Sequence, residues 1–362
     1  MKTQRLNTDY LNLGKEVPLF ATMMVRGVFS TAPKQKTGEI LIVNPCLIGE
    51  FAATVPAIYD FIERHPEQKI DLLVTPPLRP LAERVRGVRR VYTARSVYGR
   101  INEKDATDLI PQGTYEKTIV LRLSREAYAA VLACKHGKIK TGGLRFFRYG
   151  AHLVASLIMG KTPMRWSQVN FDVLGGTPRY ISHKKIFDIT EGDLDSLPPL
   201  HSAEKKKIIV HTHCHWPARR WSTEKWVQLL TKIKTQHDAE FIFVGGHAEV
   251  EQYDDIAGQL PFGVHSMIGK IDLYQLVLLS ATADAFIGID SGPRNVAHMV
   301  DLPSVTILGP GPHMYTPPNP RDKTMDKSNG RGLLQVFIHS KHPFIAKISV
   351  EEVYTAFKTL IQ

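Results

Sequence analysis

The stretch from Asp284 to Pro312, DAFIGIDSGPRNVAHMVDLPSVTILGPGP, constrains the fold more than any other part of the chain. It predicts strand, tight turn, short helix, strand and loop in close succession. Ala285 to Ile289 is a short apolar run that ends at Asp290. Ser291-Gly292-Pro293 supplies a turn and a helix start, because glycine reaches backbone angles closed to other residues and proline suits the first helical position. Val296, Ala297 and Val300 follow at helical spacing, Asp301-Leu302-Pro303 stops the helix, and Ser304 to Leu308 is a second apolar run. A strand feeding straight into a helix aims several unpaired N–H groups at one spot, and such a spot favours an anion, most often a phosphate. In open α/β folds it lies at the C-terminal edge of a parallel sheet. The same residues also suit an ordinary βαβ turn with a serine cap, and spacing does not choose between the two.

The rest of the chain repeats this texture. Ile40 to Val43 is a strand, Asn44 to Gly49 a loop, and Phe51 to Arg64 a helix with Val55, Ile58, Tyr59 and Ile62 on one face. Strands are expected at Ile70–Val74, Arg90–Thr93 and Lys117–Leu121, with a helix at Leu78–Val85. Ala127 to Gly160 reads as a basic helix carrying Lys135, Lys138, Lys140, Arg145 and Arg148. Ile181 to Lys206 is polar and aperiodic and reads as a linker. Strands follow at Ile208–His211 and Phe241–Val244, with helices at Thr223–Lys234, up to Thr282 behind an Asp272/Gln275 capping box, and at Val350–Ile361. Alternating strands and helices predict an α/β fold with parallel sheets covered on both faces. A chain of 362 residues exceeds one ordinary core. The expected division is an extension at 1–38, one Rossmann-like domain at 39–195, a second at 196–345, and a closing helix at 346–362.

Hydrophobic content of 43% and charged content of 22% are those of a soluble globular protein. The sequence predicts neither a signal peptide nor a membrane span. Cys46, Cys134 and Cys214 are scattered and odd in number, which fits a reducing compartment rather than a disulfide framework. The net charge of +11 points to an anionic partner. No nucleic-acid module signature accompanies it, so a phosphorylated substrate or an anionic membrane surface is expected instead. In the extension, Leu19, Phe20, Met23, Met24 and Val28 fall on one side of a possible helix. That helix suits either a membrane surface or docking on the protein's own core.

Three further constellations can carry chemistry. Glu50 follows the first strand and opens a helix, where a carboxylate serves as a general base or simply meets the helix dipole. His211, His213 and His215 alternate before Arg219 and Arg220. Three such histidines can hold zinc, or the strand can end at His211 and leave a loop. The arginines suit phosphate oxygens. Gly245-Gly246 followed by Glu249 and Glu251 suits a sugar hydroxyl, or a plain glycine turn with solvated acids. Asp193-Leu194-Asp195 has a metal-binding spacing but follows no strand, so no metal is assigned to it.

Four blocks together resemble glycosyltransferase family 9, the heptosyltransferases of lipopolysaccharide core assembly. They are ILIVNPCLIGEFAATVPAI, ARRWSTEKW, FIFVGGHAEVE and ADAFIGIDSGPRNVAHMVDLPSVTILGP, in the family's order and spacing. The resemblance implies a GT-B architecture, two Rossmann-like domains facing across a cleft, with the last helix packed back on the first domain. It implies inverting transfer from a nucleotide-sugar, ADP-heptose above all, with no resident cofactor or metal. The acceptor would be lipid-linked, and the protein cytoplasmic and peripheral to the inner membrane. The family's catalytic Asp falls on Glu50, its phosphate-binding Lys on Arg219, its Ser/Thr-Gly contacts on Ser291 and Gly292, and its donor-side acid on Glu249 or Glu251. Asn295 stands where the family has a His, and the adjacent Arg294 is expected to supply the missing charge. A nucleotide-sugar epimerase or hydrolase of the same architecture, or a non-catalytic glycan-binding relative, fits the same blocks.

Overall fold

A computed structural model describes residues 38–94, 96–97, 100–101, 115–121, 138–141, 166–199, 205–214, 219–309, 319–327 and 344–361. The extension, with its expected apolar helix face, lies outside the described residues, and so do Lys135, Arg145 and Arg148.

The first sheet has five parallel strands: β1 (Glu39–Val43), β2 (Lys69–Val74), β3 (Val88–Thr93), β4 (Lys117–Val120) and β5 (Lys138–Thr141), in the order β3-β2-β1-β4-β5. β1 and β2 are near-continuous apolar runs because strands of a parallel sheet are buried on both faces. β5 corrects the sequence reading, which had a helix there. Lys138–Thr141 pairs in parallel register with Lys117–Val120. Helix α1 (Ile48–Arg64) begins three residues before the expected Phe51, so Glu50 lies in its first turn. The expected helix at Leu78–Val85 is only a short pair of turns, Pro76–Leu78 and Arg79–Ala82. At the strand starts, Arg89 grips Asp71 with two hydrogen bonds of 2.8 Å, and the Tyr115 hydroxyl also donates to Asp71.

The second sheet has six parallel strands: β6 (Lys206–His211), β7 (Ala239–Phe243), β8 (His265–Ser266), β9 (Ala285–Ile289), β10 (Ser304–Ile307) and β11 (Asp322–Met325), in the order β8-β7-β6-β9-β10-β11. Around it run α2 (Trp166–Leu174), α3 (Thr223–Gln236), α4 (Val250–Ala257), α5 (Leu273–Thr282), α6 (Gly292–Met299) and α7 (Val350–Ile361). The Asp272/Gln275 capping box of α5 forms in both directions. α3 buries Trp226, Leu229, Leu230 and Ile233, each worth about 1.5–3 kcal/mol. Trp221 lies edge-on to Trp226 and donates its indole N–H to the Ile348 carbonyl.

Two compact units result. One comprises 1–46, 61–83 and 87–148; the other comprises 47–60, 84–86 and 149–362. The segment from 166 to 195 groups with the second sheet, as do the first turns of α1. There Asn170 donates to Thr54 and Arg179 pairs with Asp60. Val353 and Phe357 of the closing helix α7 are buried in the core of the second sheet, alongside Ile345 and Ile348. Their apolar face is matched by the one that α3 leaves beside it. Among the described residues no helix is long and apolar enough to cross a membrane.

Candidate active site

β9 ends at Asp290 and the chain turns at once into α6. Ser291, in extended geometry, is the helix N-cap, and its Oγ accepts from the Arg294 N–H at 3.5 Å. Pro293 lies in the first turn, and no acidic residue does. The end of α6 is thus electropositive, with the Gly292 amide at its tip. This is the arrangement that holds an anion.

The first turn of α1 abuts it. A Cβ at Gly49 would come within 2.5 Å of Asn295 Nδ2 and 3.5 Å of Gly292 Cα, and a Cβ at Gly292 within 3.0 Å of Ile48 Cγ2. Only glycine at both positions lets the two helix starts meet this closely. Glu50 is the next residue. It is buried, its carboxylate reaches back to the Leu47 N–H at 3.4 Å, and Thr54 donates to its carbonyl. Asn295 is buried at the contact with Gly49, and its Oδ1 has no hydrogen-bond partner.

Arg219 reaches the same sheet edge. Its backbone and Cβ lie against Gly309, past the end of β10, where an added Cβ would meet Arg219 Cα at 2.7 Å. Its guanidinium lies 4.0 Å from Asp290. Glu249 stands past the end of β7, in a turn over Gly245, where an added Cβ would collide with its carboxylate. His211, at the end of β6, meets Glu249 through Nε2 at 3.1 Å. Burial raises the Glu249 carboxyl, but the His211 hydrogen bond, the charges of His211 and His213, and the Gly246 backbone outweigh it and hold the pKa below the ordinary value. Four adjacent strands, β7, β6, β9 and β10, therefore bring Glu249, His211, the Ser291 turn and Arg219 to one edge.

Two expected residues are arranged differently. Arg294 does not present its charge at the helix tip. Its guanidinium is buried, donating from Nε to Thr306 at 2.8 Å and from the other nitrogens to Asp290 at 2.9 Å and Asp322 at 3.5 Å. Its long stem folds beneath the turn because two carboxylates wait there. Glu251 is exposed on α4, so Glu249 is the acid this edge receives. His213 Nδ1 meets Gln252 at 2.9 Å rather than converging with His211, and His215 lies outside the described residues. Among the described residues no three His, Cys, Asp or Glu side chains gather as a metal site. Asp193 caps a surface turn with Thr190 and pairs with Arg84.

Residues 115–331, more than half of the chain, match the family model for glycosyltransferase family 9 (heptosyltransferase). The chain belongs to glycosyltransferase family 9. A curated relative, lipooligosaccharide heptosyltransferase 2 of Haemophilus influenzae, is 32% identical over 107 residues. That match covers 28% of this chain and spans only 30% of the relative. A family 9 glycosyltransferase from Veillonella parvula superposes with a TM-score of 0.70 at 17% identity, covering 91% of this chain and 99% of that one. The Escherichia coli ADP-heptose lipopolysaccharide heptosyltransferase II gives 0.66 at 19% identity, covering 89% and 98%. At these identities the likeness shows the fold, the GT-B type.

Sequence reasoning missed Asp290 as the bridge between two arginines and His211 as the partner of Glu249. Gly49 and Gly309 were the available signals, since each marks a close approach.

Proposed function

We propose that this chain is an inverting glycosyltransferase that moves heptose from ADP-heptose to a lipopolysaccharide core sugar or a related glycan acceptor. The contact of two helix starts carries this reading. Gly49 against Gly292 and Asn295 puts a carboxylate, Glu50, one residue from a helix tip suited to a diphosphate. Family membership supports the reaction class. The donor follows the names of the relatives above.

In this reading Glu50 takes the proton of the acceptor hydroxyl. The hydroxyl oxygen attacks the anomeric carbon from the face opposite the diphosphate. As the new C–O bond forms, the bond to the diphosphate breaks and the configuration inverts. Negative charge grows on the departing diphosphate, where the Gly292 N–H, the Ser291 hydroxyl and Arg219 meet it. Glu249, kept ionised, accepts a hydrogen bond from a donor-sugar hydroxyl. No resident cofactor is required. The acceptor is lipid-linked, and the protein works from the cytoplasm against an anionic membrane surface, drawn there by its +11 charge.

Glu50→Gln tests the assignment, because the amide keeps the shape and cannot take the proton. Turnover should fall by about a hundredfold to ten-thousandfold, while ADP binding, measured by calorimetry, stays within about twofold of wild type. Near wild-type turnover would remove Glu50 from the mechanism.

A further inference from the structure

A chain of alternating charges, centred on the buried Arg294, runs beneath the Ser291 turn. Asp322, 8% exposed at its side chain, accepts from Thr306 at 2.8 Å and from Thr324, and lies 3.2 Å from His298 Nε2. Arg294 comes next, 3% exposed at its side chain, and spans Asp322, Thr306 and Asp290. Asp290 follows, with one oxygen 2.9 Å from Arg294 and the other 4.0 Å from Arg219. The order is acid, base, acid, base, and Arg219 is its outermost member. Nothing about an ordinary βαβ turn demands a guanidinium here.

We propose that Arg294 is a positioning residue for the diphosphate seat, acting on Arg219 through Asp290 without touching the donor. The inference rests on the assignment of Arg219 to the diphosphate made above. Asp290 lies 4.0 Å from Arg219, and an aspartate that closed fully on Arg219 would compete with phosphate for it. Arg294 holds Asp290 by the shorter contact and offsets its charge, so the Asp290–Arg219 contact stays long. The guanidinium fork matters as much as the charge. Nε is anchored on Thr306 while the terminal nitrogens reach the two carboxylates, which fixes the height of Asp290 beneath the turn. Lysine would keep the charge and lose the fork.

The test is a double-mutant cycle on the full chain, with ADP and adenosine as probes in calorimetry. Arg294→Lys keeps a cation between the two carboxylates, and Thr306→Val, close in volume, loosens the same fork more gently. Arg294→Lys should weaken ADP about fivefold to tenfold, Thr306→Val about twofold to threefold, and neither should change adenosine. Both effects should vanish in the Arg219→Ala background. If Arg219→Ala weakens ADP selectively, yet Arg294→Lys and Thr306→Val cost the same in both backgrounds, Arg294 acts on the fold alone. The inference is then overturned and the diphosphate seat stands. If Arg219→Ala weakens ADP and adenosine alike, or wild type binds no ADP, the seat assignment fails and takes the inference with it.

Discussion

The turn from β1 into α1 and the turn from β9 into α6 each form half of a capping box, and opposite halves. In α1 the third helical residue, Glu50, reaches back to the N-cap amide of Leu47, and Leu47 has no side-chain oxygen to return the bond. In α6 the N-cap Ser291 accepts from the third residue, Arg294, and Arg294 has no carboxylate to return it. The first helix end therefore carries its own anion, and the first turn of the second carries none. Gly49 and Gly292 bring the two ends together. In the reading proposed above, the base and the anion seat are these two helix starts, whose third residues carry opposite charge, Glu50 and Arg294.

The second junction is braced from below by Arg294, Asp322 and His298, and breaking that brace should have the largest effect on stability. Burial alone would raise the Asp322 carboxyl, but the hydrogen bond and charge of His298, with Arg294 and Thr324, hold it well below the usual carboxylate range. A depressed folded pKa contributes stability above the unfolded value, near 4, that is lost as pH falls toward the folded one. Asp322→Asn should cost about 3–5 kcal/mol at neutral pH, since it leaves Arg294 and His298 short of a counter-charge. In urea unfolding the gap between variant and wild type should narrow steadily below about pH 4. A gap independent of pH would mean that Asp322 contributes by shape alone.

Next comes the contact itself. Gly49→Ala drives a methyl into Asn295 Nδ2, and the overpacking should cost about 1–3 kcal/mol. The partner atom is the end of a side chain, so Gly49→Ala combined with Asn295→Ala should recover most of the loss in thermal unfolding. Turnover of the double variant then reports whether the spacing of the two helix starts, rather than Asn295, supports the chemistry. No recovery would indicate that the methyl meets backbone instead.

How much of this could be read beforehand follows from where the information lies. β1, β9 and β10 were legible because a strand buried on both faces must be apolar throughout. The caps at Ser291 and Asp272 were legible because capping is decided within four residues. β11 was missed: Asp322-Lys323-Thr324-Met325 is a polar edge strand, and its Asp322 answers to Arg294 and His298, distant in sequence. Lys138–Thr141 read as helix because its neighbours are basic and its strand identity comes from pairing with β4. Arg294 looked like a phosphate ligand by proximity to the turn, and only the fold reveals two acids beneath it.

A smaller effect comes from making the second junction resemble the first. Pro293→Glu adds a carboxylate to the first turn of α6, with Pro293→Gln as the neutral control. ADP binding should be about threefold to tenfold weaker for Glu than for Gln, with adenosine unaffected, because the helix end then meets its own acid first. Salt should shrink the difference. Equal binding by the two variants would mean that the diphosphate lies away from this helix.

The last effect is expected to be nil, and it asks whether the second junction suffices for the charge it must meet. A leaving diphosphate needs positive charge, which enzymes supply with a divalent cation or with helix ends and cationic side chains. Here the Gly292 end of α6 and Arg219 stand at one edge. Nearby acids have other partners: Asp290 holds two arginines and Glu249 meets His211. The Asp193-Leu194-Asp195 pair serves a surface cap. Transfer should therefore keep its full rate in excess EDTA and gain nothing from added magnesium or manganese. The inert outcome is informative only beside the Arg219→Ala variant, whose donor binding should fall by about one to two decades under the same chelated conditions. Loss of activity on chelation, restored by one metal, would show that the helix end and Arg219 fall short of the charge required. The open junction would then be half of a seat completed by a cation.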